Sequence, residues 1–233
     1  MAIWLFVMSR GLVRRGLSHE SSLGSSILSL VLGIIGARVL SGMTTLERLP
    51  SLSELAHVER GGFSFYGFFF GSCIALAVTS RVLRVRTFEV FDAAAPAMAL
   101  TIACWRTGCF LNGCCWGIIS DSRFDVPLET AASHPAIKLP LPLFESCFLI
   151  LVFAVLHAMM KWRRLPHGCI AAFYLSSHAA YRIAADVWRP DQSNVSRCIS
   201  VFLLLFGGIR LIRTDNRPTS HILRVGLSPA RLE

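Results

Sequence analysis

Residues 23–43 read LGSSILSLVLGIIGARVLSGM, an apolar run broken by one charge, Arg38. A helix of about 20 such residues crosses the hydrocarbon of a bilayer. Five further apolar stretches follow, at about 63–80, 90–111, 141–160, 168–187 and 197–212. The stretch at 63–80 is rich in Phe and uncharged, while 90–111 holds Asp92 and Arg106, and 168–187 holds Arg182 and Asp186. The pattern predicts an all-α, polytopic transmembrane helix bundle of about six spans. No internal repeat or low-complexity linker divides the chain, so residues 1–233 read as a single integral membrane domain.

Composition agrees. Of 233 residues, 54% are hydrophobic and only 16% charged, against about 25% charged in ordinary soluble domains. Disorder requires the opposite balance, and a soluble enzyme lacks the charges here to coat its surface. The net charge of +9, from 23 Lys and Arg against 14 Asp and Glu, would suggest nucleic acid in a soluble chain. Its distribution excludes that reading. Basic flanks (Arg10, Arg14, Arg15; Arg81, Arg84, Arg86; Lys161, Arg163, Arg164; Arg213, Arg217, Arg224, Arg231) alternate with the balanced loops 44–61, 112–140 and 188–196. Positive charge collects in cytoplasmic loops. Both termini are therefore expected in the cytoplasm and the balanced loops outside. Met1–Met8 is apolar with arginines after it, the wrong order for a signal peptide, and is read as an interfacial or frayed end.

Charges inside spans are costly and are usually paired or functional. The three acids, Asp92, Glu145 and Asp186, fall near span ends, where snorkelling is cheap. Arg38 and Arg106 lie toward the outer ends of their spans. Arg182, Asp186 and Arg189 recur at helical spacing, a stripe pointing at the outer leaflet. The structural reading is a set of salt bridges that only hold the bundle. The functional one rests on arginine's planar fork of donors, which suits phosphate. Arg106 and Arg182 converging near the outer leaflet would make a lipid-phosphate clamp.

Two segments are dense in special residues. In Gly61-Gly62-Phe63-Ser64-Phe65-Tyr66-Gly67 the glycines permit close backbone approach, and the Tyr66 hydroxyl, one turn into the membrane, needs a partner unless it is an interfacial belt residue. In 105–117, WRTGCFLNGCCWG, the glycines at 108, 113 and 117 are expected to break the helix and line a cavity, because irregular backbone at that depth must be satisfied by protein or water. Of eight cysteines, Cys73, Cys104, Cys147, Cys169 and Cys198 scatter through apolar stretches, whereas Cys109, Cys114 and Cys115 cluster at the outward rim. The cluster reads as a disulfide, a reactive thiol beside Arg106, or small packing residues in a tight loop. No metal is expected, since there is no C-x-x-C pair and no further ligand.

Arg106-x-Gly108-x-Phe110-x-Asn112-Gly113 with Gly117 resembles the signature of bacterial prolipoprotein diacylglyceryl transferases. Four other segments agree in order. The 61–67 segment is similar to the family's glycine-rich outer-loop motif, and Asp92-x-x-x-Pro96 to the opening of its signature helix. Leu143-Phe144-Glu145, with His134-Pro135 upstream, resembles a Leu-Tyr-Glu element. Tyr181-Arg182-x-x-x-Asp186-x-x-Arg189 resembles its late Arg-x-x-x-Glu-x-x-Arg helix. The likeness runs from about Gly36 to Arg189, and the family's first span has no counterpart in it.

The resemblance implies a multi-pass enzyme of the bacterial inner membrane. It would move the diacylglyceryl group of phosphatidylglycerol onto the lipobox cysteine in the signal peptide of a preprolipoprotein, with no cofactor. Arg106 and Arg182 match the family's essential arginines. Tyr66 stands where members carry His or Tyr and would orient or deprotonate the thiol. Asn112, Gly117, Glu145, Arg189 and Arg38 would contribute to substrate binding, and Asp186 would orient Arg182. Cys109 replaces an Asn of the signature, Cys114 a Glu, and Trp105 a Gly. Two other readings stay open: a membrane thiol or redox protein working through Cys109, Cys114 and Cys115, and a non-catalytic phospholipid-binding protein.

Overall fold

The computed structural model describes residues 1–45, 63–118, 126–128, 136–161, 165–189 and 194–215. Among these are seven α-helices: α1 Ala2–Val13, α2 His19–Thr45, α3 Phe65–Val82, α4 Thr87–Leu111, α5 Leu141–Met159, α6 Cys169–Ala185 and α7 Asn194–Asp215. A single 3-10 turn, Asp186–Trp188, follows α6. A short antiparallel ribbon, β1 Val126–Leu128 and β2 Ala136–Lys138, pairs Pro127 with Ile137 and is the one departure from an all-α fold among the described residues. Gly61, Gly62, His134, Pro135 and the basic residues Arg163, Arg164, Arg217, Arg224 and Arg231 lie outside the described residues.

Helices α2 to α7 coincide with the six expected stretches. Four are long and apolar enough to cross a membrane: His19–Met43, Phe65–Val82, Thr87–Leu111 and Leu141–Met159. Helix α6 has only 17 residues, and α7 is diluted by Arg197, Arg210, Arg213 and Asp215. Both depend on neighbours: α6 turns Tyr174, His178 and Arg182 into the protein, where all three are buried. The outer faces are apolar, with Ile74, Leu151 and Phe202 more than 60% exposed, as lipid contact permits. The protein is a multi-pass membrane protein.

The N-terminal segment is not frayed. Trp4, Met8 and Leu12 on one face of α1 are fully buried, and the Trp4 indole N–H donates to Ser29 Oγ at 3.1 Å and the Ser26 carbonyl at 3.2 Å. Phe68 meets the same ring edge-on at 5.5 Å. A tight turn at 14–18 sends the chain back as α2, so Arg14, which is exposed, and Arg15 lie in the connection between α1 and α2.

Small residues set the α2–α3 approach. A Cβ on Gly67 would collide with the Gly36 carbonyl, and one on Gly71 with the Leu32 carbonyl. Where lipid is as apolar as the helix, such close backbone packing supplies the attraction. Gly67→Ala is expected to lower stability by about 1–3 kcal/mol. Gly24→Ala, with open space around the new methyl, should leave thermal unfolding in detergent unchanged.

Asp92 has a structural role. Its carboxylate, 1% exposed, accepts the Gly168 and Ala171 N–H groups at 2.7 and 2.9 Å. It thereby holds the N-terminus of α6, where unpaired N–H groups favour a negative charge. Arg15 stands 3.8 Å from the same carboxylate, and Arg86 lies 3.0 Å from His167. The turns at 14–18, 83–86 and 165–168 thus gather at one end of the bundle.

Candidate active site: an arginine cluster on a buried carboxylate

At the other end of the bundle three helices, and the segment that follows α6, converge on one carboxylate. Glu145 lies in the first turns of α5, and its side chain is wholly buried. Arg106, near the end of α4, places Nε 3.0 Å from Glu145 Oε2. Arg189 Nη2 donates to the same oxygen at 2.8 Å, and Arg182 Nη1 stands 3.9 Å away. His178 Nε2 approaches Oε1 at 3.4 Å.

Local structure explains each position. Ser146 Oγ bonds the Ala103 carbonyl at 2.9 Å and Thr107 Oγ1 at 2.8 Å, locking α4 to α5 beside the Arg106–Glu145 pair. His178 and Arg182 are one turn apart on α6. The expected continuous stripe is broken: α6 ends at Ala185, the 3-10 turn intervenes, and Arg189 becomes extended. That break returns Arg189 to Glu145. Asp186 does not orient Arg182. Its carboxylate is turned toward Arg197, 3.9 Å away, and Arg182 is held by Glu145 and by Ser196 Oγ at 3.4 Å.

The charges do not balance. Three guanidiniums, always protonated, face one carboxylate. Arg182 Nε and Nη1 and Arg189 Nε are buried without a hydrogen-bond partner. Such donors cost free energy unless an acceptor meets them. Burial and the neighbouring Arg182 charge push the Arg189 guanidinium below its usual pKa. An anion with several oxygens would satisfy both the charge and the donors.

Tyr66 begins α3 and is buried. Its hydroxyl shares a 2.7 Å hydrogen bond with Ser200 Oγ and donates to the Ser196 carbonyl at 3.1 Å. Ser196 Oγ in turn donates to it at 3.3 Å. Ser196 therefore links Tyr66 to Arg182. Arg38 is not among the groups on Glu145; its guanidinium lies 5.3 Å over the Phe63 ring, which meets Trp105 edge-on. Asn112 is exposed at the end of α4. Gly117 is a junction: its N–H donates to the Leu139 carbonyl at 2.9 Å, and a Cβ there would press on the Trp188 carbonyl at 3.0 Å. Gly108 stays helical, and the helix turns off only at Gly113, with φ 66°.

All eight cysteines are free. A hydrogen bond from Cys109, with the charges of Arg106 and Arg189, holds the Cys115 thiol below its usual pKa against the effect of burial. Burial raises that of Cys114. Sequence reasoning passed over His178, Ser196 and Ser200. The first stands four residues before Arg182 on the same helical face, which is the signal that would have found it.

Known proteins match this chain. The profile of the prolipoprotein diacylglyceryl transferase family fits residues 1–213, so the likeness extends beyond the expected 36–189 into α1 and α7. A Dehalococcoides mccartyi protein named phosphatidylglycerol–prolipoprotein diacylglyceryl transferase is 30% identical over 77% of this chain and 70% of its own length. One from Clostridium perfringens, named phosphatidylglycerol–prolipoprotein diacylglyceryl transferase 2, is 27% identical over 89% and 83%. A Francisella tularensis subsp. novicida relative with the first name is 26% identical over 81% and 75%. With the profile matched from α1 to α7, the chain belongs to the prolipoprotein diacylglyceryl transferase family.

Proposed function

We propose that this protein transfers the diacylglyceryl group of phosphatidylglycerol to the thiol of a lipobox cysteine in a preprolipoprotein signal peptide. The carrying observation is the set of unpartnered guanidinium donors on Arg182 and Arg189 beside Arg106. The thiol sulfur attacks the glyceryl carbon that bears the phosphate ester. A C–S bond forms, the C–O bond breaks, and its electron pair leaves on glycerol phosphate, which also takes the thiol proton. Negative charge grows on the departing phosphate oxygen, where preorganised donors are worth most. Arg106 and Arg182 hold that phosphate, and Arg189 adds the third charge. Glu145 positions all three. Tyr66, joined to Arg182 through Ser196, orients the incoming thiol. Arg38, Asn112 and Gly117 act on binding from the flanks, Gly117 by fixing the 112–118 loop against Leu139 and Trp188. Asp186 fixes the segment that follows α6.

Labelled phosphatidylglycerol and a lipobox peptide should yield a thioether-linked glyceride. Absence of product with every phospholipid donor would sink the proposal. The three rim thiols within 4.8 Å of one another favour the thiol-chemistry reading as the second. Abolition of transfer by Cys109→Ser/Cys114→Ser/Cys115→Ser, in a folded protein, would select it.

We place the protein in the bacterial inner membrane with the Arg15, Arg86 and His167 end in the cytoplasm and the arginine cluster toward the outer face. Membrane-impermeant maleimide should reach Cys114 from the outer side only. Labelling from the cytoplasmic side would reverse the orientation.

A further inference from the structure

Three thiols stand outside the diacylglyceryl transfer proposed above, and backbone geometry brings them together. Cys109 is in the last turn of α4. Beyond it Gly113 turns through φ 66°, the Gly113 N–H donates to the Phe110 carbonyl at 3.1 Å, and the Cys114 N–H donates to the Cys109 carbonyl at 3.0 Å. Cys115 follows at φ 62°, a conformation that side chains other than glycine rarely adopt. The chain thus folds back over the helix end, and the Sγ atoms of Cys109, Cys114 and Cys115 lie within 4.8 Å of one another.

Packing does not account for this arrangement, because Cys114 and Cys115 are exposed and only Cys109 is buried. Thiolates bind zinc at about 2.3 Å, which puts donors sharing one ion roughly 4 Å apart, so small side-chain rotations complete the set. The donors are all sulfur, with no imidazole or carboxylate in the group. Such a set selects thiophilic d10 ions over hard ones. Three thiolates around a monovalent ion carry two net negative charges, and Arg106 and Arg189 supply positive charge beside Cys115.

We infer that Cys109, Cys114 and Cys115 form a three-thiolate binding site for a soft d10 cation, such as Cu(I), at the rim of the bundle. Each thiol gives up its proton to solvent on binding, and no electron is transferred.

The test uses the full chain, reduced and held anaerobically in detergent, with Cd(II) as a spectroscopic probe and Cu(I) competed against a chromogenic chelator. The expected result is one ion per chain, with a sulfur-to-cadmium charge-transfer band of three-thiolate intensity. Single Cys→Ser substitutions at the three positions should weaken binding at least about tenfold, and the triple substitution should abolish the band. A triple variant that binds as much Cd(II) as the unaltered protein overturns the inference. So does an unaltered protein that binds none. Should the triple variant fail to fold, alkylation of the unaltered chain decides. Cd(II) should then protect Cys109, Cys114 and Cys115, but not Cys104, Cys147 or Cys198. Equal alkylation with and without the ion also overturns the assignment.

Discussion

Arg182→Ala is expected to lower kcat/KM for diacylglyceryl transfer by at least about a hundredfold, the usual cost of removing one donor from a charge-stabilising site. The effect should fall largely on kcat, because the phosphate gains charge as the C–O bond breaks. Arg182 brings two nitrogens without a hydrogen bond, Nε and Nη1, to a buried position, and only a planar fork presents both to one phosphate. Arg182→Lys should therefore restore little, since an ammonium is a single point charge. Transfer within about threefold of the unaltered enzyme, measured with labelled phosphatidylglycerol on protein of unchanged helicity, would remove Arg182 from the clamp.

Glu145→Gln should act mainly on stability. The substitution keeps the shape of the side chain and deletes the one negative charge among three guanidiniums. Breaking a buried ion pair from one side typically costs about 3–5 kcal/mol, because the remaining charge is left uncompensated. Three arginines share this partner, two of them within 3.0 Å, so the upper part of that range applies. Thermal unfolding in detergent should show the loss. Inorganic phosphate should raise the melting temperature of the variant more than that of the unaltered protein, since an anion can take the place of the missing carboxylate. A variant that melts within about one degree of the unaltered protein would show that Glu145 does not hold the cluster together.

The two predictions rest on features that were unequally legible in the sequence. Arg106, Arg182, Arg189 and Glu145 were each visible as costly charges in or beside apolar stretches, and the helices carrying Arg106, Glu145 and Arg182 were expected where they are found. Their meeting point was not visible. Glu145 read as an acid near a span end, where snorkelling is cheap, yet it is the wholly buried centre of the site. Asp186 and Arg182 have the spacing of a helical pair, but the 3-10 turn redirects Asp186 to Arg197 and returns Arg189 to Glu145. The rim cysteines lacked any ligand spacing in the sequence, and two left-handed residues bring them together.

Hydropathy by itself determined that this chain is a helical membrane protein, because transfer free energy adds up residue by residue along a helix and needs no knowledge of neighbours. The N-terminal helix escaped that sum, since eight apolar residues are too few to span and packing on neighbouring helices, Phe68 of α3 among them, buries Trp4, Met8 and Leu12. The identity of charge partners was decided by the tertiary structure alone. Pairing depends on how helices rotate and approach one another, and these are set by contacts such as Gly36 on Gly67 and Thr107 on Ser146, which join residues distant in sequence.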